Sequence, residues 1–134
     1  ETAVRCIKKY EGWHGPEHHP YVAYGHRIRK GEKFPARLTE SEGDSILRKD
    51  LKEMCILFRH LGKDSLLIAC LAYQVGPYRL LGYGRIPKST LIRKLEAGNR
   101  DIYVDFIRYC YYKGKKIPSI ERRREEEYRL LFMP

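Results

Sequence analysis

"KKYEGWHGPEHHPYVAYGHRI", residues 8–28, decides how the rest of the chain is understood. It joins the end of a helical pattern to a polar loop of turn-formers and histidines, then to a short strand-like run ending in Gly-His. Upstream, residues 2–11 predict a helix. Thr2 can cap it, Val4, Ile7 and Tyr10 recur at helical spacing, and Gly12 suits the position just past its end. Glu11 then falls in the last turn, where the helix dipole is negative and the protonated form of a carboxyl is favoured. A general acid has to hold its proton, so Glu11 is a candidate for acid catalysis. The alternative is a surface carboxylate at a helix end. Downstream, residues 13–35 lack a helical period, and "YVAYG" and "FPARL" predict short strands about an "RKGE" turn.

Beyond this stretch the chain is helical. Thr39-Glu40-Ser41-Glu42 predicts a capping box, followed by a stripe of Leu47, Leu51, Met54, Phe58 and Leu61 that runs to Gly62. "DSLLIACLAYQVG", with Asp64 or Ser65 as its cap, is apolar all round, as in a helix at the centre of a domain. Gly and Pro break residues 77–88 into a short helix or loop. Ser89 or Thr90 opens "STLIRKLEAG". "DIYVDFIRYCYYKG" predicts an amphipathic helix with Ile102, Phe106, Tyr109 and Cys110 inward. Pro118-Ser119 begins a last helix anchored by Ile120, Leu131 and Phe132. About six helices and one small β element make a mostly α chain with no internal repeat.

The 134 residues fit one domain with a core of its own. A net charge of +10 favours an anionic partner: nucleic acid, anionic lipid or an acidic wall polymer. No apolar run is long enough to span a bilayer. The chain begins at Glu1, consistent with removal of a signal segment. The cysteines at 6, 55, 70 and 110 sit singly in apolar stretches and are expected to be buried free thiols. A disulfide in an exported protein is the alternative.

Six segments together resemble the phage-type lysozymes, the T4-like endolysin family. "YEG" at 10–12 is similar to its helix-ending Glu-Gly, and "YVAYGH" at 21–26 to its Thr-Ile-Gly-Tyr-Gly-His strand. "LTESEGDSILRKDL" is similar to its Leu-Thr-x-x-Glu-Ala helix start. "LAYQVG" at 71–76 is similar to Phe-(Asn/Gln)-x-Gly, and "STLIRKLEAGN" to Ser-Thr-Leu-x-x-x-Leu-Asn. "SIERRREEEYRLLF" is similar to the closing Gly-Leu-x-x-Arg-Arg-x-x-Glu helix. The resemblance implies a mostly α, lysozyme-like α+β fold. Residues 12–36 would form a small β lobe, residues 1–11 and 37–134 a helical lobe, with a cleft between them.

It also implies a muramidase that cuts the β-1,4 bond between N-acetylmuramic acid and N-acetylglucosamine in peptidoglycan strands, without a cofactor. Glu11 would be the proton donor, because a sugar alkoxide is a poor leaving group. Gln74 would bind sugar or orient water, and Arg122 or a neighbour in the triple-Arg run would steer the acid. Trp13, His18 and Tyr24 are further candidates for sugar contact, Trp13 either as a sugar platform or as an anchor for the loop. A periplasmic or secreted monomer is expected, delivered by a phage, a mobile element or a bacterial secretion system.

The chain departs from the family in the loop after Glu11. The family's Asp and Thr are both missing, the loop is shorter, Tyr21 stands in place of the Thr and Ala23 in place of the first Gly. Glu17 is the only carboxylate in the loop. Either Glu17, or the imidazole of His18 or His19, takes over as base. Otherwise there is no base, and a lytic transglycosylase uses Glu11 alone. Further alternatives are a non-catalytic wall-binding relative, a basic nucleic-acid-binding helical protein, and a zinc site from His14, His18, His19, His26 and Glu17. His26 is better explained as a structural hydrogen-bonding group at the strand end.

Overall fold

A computed structural model describes all 134 residues. The chain forms two compact units, residues 1–53 and 54–134. The boundary falls within a continuous helix.

In the first unit, α1 (Thr2–Glu11) buries Ala3, Val4, Cys6 and Ile7 on one face, the stripe its spacing predicts. Its cap is not Thr2 but Glu1, whose side chain makes no capping bond. At the other end Gly12 takes φ 67° and its N–H closes on the Lys8 carbonyl. Only glycine adopts that conformation without a steric penalty, so the chain leaves the helix directly after Glu11. A 3-10 turn at Pro16–His18 and a cis His19–Pro20 bond lead into β1 (Tyr21–Val22), which pairs antiparallel with β2 (His26–Arg27).

The hairpin is therefore shorter than expected, and its second strand is not "FPARL". Its turn is Ala23-Tyr24-Gly25, while Phe34 instead sets its ring edge-on to His26 at 5.6 Å. Two contacts extend the hairpin: Ile28 N–H donates to the Pro20 carbonyl at 2.8 Å, and His14 N–H bridges to the Ala23 carbonyl at 2.7 Å. Ala23 sits fully buried at φ 51°. A left-handed alanine costs about 1–2 kcal/mol, while burial of its methyl group returns about 0.8 kcal/mol. Burial of the methyl group thus offsets part of the strain.

The unit closes on α2 (Glu40–Leu57). Its capping box forms as predicted: Glu42 N–H donates to Thr39 Oγ1 at 3.1 Å, and Thr39 N–H to Glu42 Oε1 at 2.8 Å. α2 ends earlier than its apolar stripe, and 3-10 geometry carries the chain over Arg59–Asp64, turning at Gly62.

In the second unit, α3 (Ser65–Val75) is the central helix, with Leu67 to Ala72 buried in unbroken succession. Around it stand α4 (Tyr78–Leu81), α5 (Thr90–Glu96), α6 (Tyr103–Ile107) and α7 (Pro118–Leu131). Ser89 caps α5 by accepting from Ile92 N–H. Asp64 precedes α3 but does not cap it; its carboxylate takes both bonds of the Arg100 fork, at 2.7 and 2.9 Å.

The long helix expected over 101–114 is instead the short α6 followed by a hairpin, β3 (Tyr111–Tyr112) with β4 (Lys115–Lys116). Lys113 and Gly114 between the strands both have positive φ, 50° and 79°. A two-residue hairpin turn requires that conformation. All four cysteines are free, and three of them are buried. No helix is long and apolar enough to cross a membrane.

Candidate active site

The residues around Glu11 are positioned by the exit from α1 and the turn of the β1–β2 hairpin. The Glu11 carboxylate lies against the backbone of Gly25, where a Cβ would meet its Oε1 at 2.7 Å. Gly25 also has φ 94°. Close approach and backbone conformation thus both require glycine there, and the sequence reading did not single out this residue. Gly25→Ala is expected to displace the Glu11 carboxylate and to strain the turn by about 1–2 kcal/mol. Turnover on sacculi should fall about tenfold or more, since misplacing a reacting group by an ångström costs up to ~100-fold. A variant that melts lower but turns over at the wild-type rate would show that Glu11 does not depend on Gly25.

Behind the hairpin, buried His26 links β2 to α2. Its Nδ1 lies 2.6 Å from Asp50 and its Nε2 2.9 Å from Glu32, while Arg29 bridges Glu53 at 2.9 Å and approaches Asp50 at 3.7 Å. Burial works against the charged imidazole, but the hydrogen bonds it donates to Glu32 and Asp50 outweigh it, and the His26 pKa is raised. Burial pushes the Asp50 carboxyl up, and the imidazole offsets part of that. Both ring nitrogens are thus committed to carboxylates, as a structural hydrogen-bonding group requires.

The sign of the pH effect follows from linkage. Below the unfolded value of about 6.5 His26 is charged in both states and its stabilisation is complete; it is lost as pH rises through the raised folded value. The melting temperature should fall across that window, and His26→Gln should flatten the fall. An unchanged profile in the variant would contradict this assignment.

Of the remaining candidates of the first unit, Trp13, His14, His19 and Tyr21 line a hollow of about 430 Å³, with Val22, Phe34 and Arg37 among others, whereas Glu17, His18 and Tyr24 do not. Trp13 is partly structural. Its ring rests on Gly43 of α2, where a Cβ would come within 2.5 Å of it, and meets Tyr24 edge-on at 5.2 Å. Tyr24 donates to Glu40 at 2.9 Å and receives the Lys8 ammonium over its ring. Tyr21 lies on β1 with Arg27 over its ring. Glu17, on the 3-10 turn, is solvent-exposed and folds back toward Gly15, with His18 Nδ1 3.9 Å away. The His18 ring stands edge-on to His14.

In the second unit Gln74 is met by Arg124, a neighbour of Arg122 in the triple-Arg run. Arg122 is exposed on α7, whereas Arg124 is fully buried and donates to Gln74 Oε1. One helical step of 100° separates neighbours on α7 by more than a quarter turn, so only one of the three arginines can face α3 in this way. Glu127, 1% exposed, holds the pair behind it: its carboxylate lies 3.2 Å from Arg123 Nε and 2.9 Å from Arg124 Nε. The signal was present in the closing motif. Matched letter by letter, Gly-Leu-x-x-Arg-Arg-x-x-Glu places its arginines at 123 and 124 and its glutamate at 127.

The phage lysozyme family profile matches residues 8–127. No curated protein matches the chain. Among solved structures, the muramidase domain of SpmX from Asticaccaulis excentricus has a similar fold. Its TM-score is 0.76 at 19% identity, over 100% of this chain and 97% of that one. The match across both units, from the helix that ends in Glu-Gly to the buried Arg-Arg-Glu of α7, places this chain in the phage lysozyme family of peptidoglycan-degrading muramidases.

Proposed function

We propose that Glu11 is the proton donor of this muramidase and that the bond cut is the β-1,4 link from N-acetylmuramic acid to N-acetylglucosamine. The observation that carries the assignment is the seating of the Glu11 carboxylate on Gly25. It is a side chain at the end of a helix, fixed against a turn that no larger residue can occupy without moving it. Protonation of the bridging oxygen lets the C1–O4 bond break with a neutral sugar alcohol as leaving group. The muramyl C1, carrying oxocarbenium character, is then taken by water.

Glu17 or the His18 or His19 imidazole would receive the water's proton, with the Tyr21 hydroxyl orienting the water. Trp13, Tyr24 and Gln74 would contact sugar, and Arg124 would hold Gln74 in place. The protein would act as a monomer at the wall, outside the cytoplasm.

The exposed position of Glu17, folded back on Gly15, favours one second reading. In a lytic transglycosylase the muramyl 6-hydroxyl closes on C1 and its proton passes to the Glu11 carboxylate, so no second side chain is required. Mass analysis of soluble products from purified sacculi separates the two. Hydrolysis leaves reducing muramic acid ends, one water heavier than the anhydro ends of transglycosylation. Hydrolysis is the expected outcome. Anhydro ends would transfer the whole reaction to Glu11, and no product at all would leave a wall-binding relative.

A further inference from the structure

The positive charge of the chain is concentrated. Residues 78–116 hold ten of the 27 lysines and arginines but three of the 17 carboxylates, together with six of the eleven tyrosines. The three carboxylates do not neutralise the excess evenly. Glu96 is taken by Lys88 and His60, and Asp105 by Lys94. Asp101 is the third. Arg79, Arg85, Arg108, Lys113 and Lys115 have no carboxylate within ion-pair distance.

These free cations alternate with exposed apolar side chains on two tight turns. In one, Tyr83 bridges to Ile86 across Gly84-Arg85, and its ring meets Tyr78 at 5.5 Å. Tyr83 is 73% exposed and Ile86 50%. In the other, the β3–β4 hairpin carries Tyr111 and Tyr112, the latter 61% exposed with the Lys113 ammonium over its ring. Two hollows, of about 330 and 210 Å³, share Arg79, Arg108 and Tyr109; the second reaches Tyr111 and Tyr112 and also Gln74, so the face adjoins the proposed sugar contact. The Arg79 guanidinium lies over the Tyr109 ring.

We propose that this face is a peripheral docking surface for an anionic phospholipid bilayer. Tyr83 and Ile86 enter the headgroup layer, and Arg79, Arg85, Arg108, Lys113 and Lys115 pair with lipid phosphates. Tyrosine and isoleucine on turns with flanking cations match the layering of a membrane interface, apolar and amphipathic groups innermost and long basic chains at headgroup level. A soluble polyanion has no use for the exposed Ile86. Docking on lipid would hold a wall-cutting enzyme next to the inner side of its substrate layer. The proposal is independent of the catalytic assignment, because lipid vesicles contain no peptidoglycan.

The test is co-sedimentation of the intact chain with vesicles of phosphatidylcholine alone and of phosphatidylcholine with phosphatidylglycerol, at low and high salt. Binding is expected only to the anionic vesicles and to weaken with salt. Lys113→Gln with Lys115→Gln should lower partitioning roughly twentyfold, since each cation near an anionic surface contributes about fivefold. Tyr83→Ser with Ile86→Ser should lower it about tenfold, the effect of withdrawing partly buried apolar area. Soluble polyphosphate binding should be unaffected by that second pair. All four positions are exposed, and unchanged melting curves confirm that the variants fold. The proposal is overturned if the protein does not sediment with anionic vesicles. It is equally overturned if the Tyr83 and Ile86 variant binds them as well as wild type, which would leave diffuse attraction to any polyanion, nucleic acid included.

Discussion

Glu11→Gln is expected to reduce the lysis rate of purified sacculi by about 10²–10⁴-fold, the range by which a positioned proton donor accelerates such a step. Glutamine keeps the shape of the side chain and its contact with Gly25 but has no acidic proton to give. The loss should therefore appear in turnover, with substrate affinity nearly unchanged. Melting temperature should move little, because Glu11 is partly exposed at the end of α1 and surface changes usually stay within about 0.5 kcal/mol. The check is paired: lysis followed by turbidity, and thermal unfolding of the same preparation. A variant that lyses at the wild-type rate would remove Glu11 from the chemistry.

The second large effect concerns stability. Glu127→Gln is expected to destabilise the fold by about 3–5 kcal/mol, the cost of removing one partner of a buried ion pair. Arg123 and Arg124 are buried beside it, and Glu127 is the carboxylate both of their Nε groups face. The amide keeps the volume but removes the negative charge between two guanidiniums. At this chain length the melting temperature should fall by roughly 10–15 °C. Arg122→Gln serves as the control, because Arg122 is exposed on the same helix and its loss should stay within about 0.5 kcal/mol. Equal effects from the two variants would mean that the buried cluster is not what holds α7.

The same contrast shows what the sequence makes legible. Local signals survive because neighbours in sequence satisfy them. The Thr39–Glu42 capping box forms as its letters predict, and the end of α1 at Gly12 is set by a single left-handed residue. The length of α6 was misread for a local reason too. The inward spacing of Ile102, Phe106, Tyr109 and Cys110 suits a helix, but the helix stops at Ile107 and Lys113-Gly114 turns the chain back on itself. A pair of tyrosines before a Lys-Gly turn was the competing strand signal.

Of the proposed site, the sequence offers Glu11 through its motif and its place at the helix end. The seating that fixes it is not legible there, because Gly25 lies fourteen residues away and no periodicity connects them. Which arginine of the run meets Gln74 is legible only when the closing motif is registered to the letter. Glu127 was missed because a run of three arginines and three glutamates looks like a solvated face. Which members of such a run are buried is decided by the elements that pack on α7, such as α3 and α6.

The account rests on delivery of a proton from Glu11 to a leaving oxygen, and the leaving group itself can be varied to test it. The decisive measurement compares wild type and Glu11→Gln on two muramyl glycosides, one with the natural sugar alcohol as leaving group and one with dinitrophenolate, which departs without protonation. The rate deficit of the variant should be large on the natural linkage and mostly vanish on the aryl glycoside. An equal deficit on both would contradict the assignment, because it would show that the side chain contributes something other than the proton.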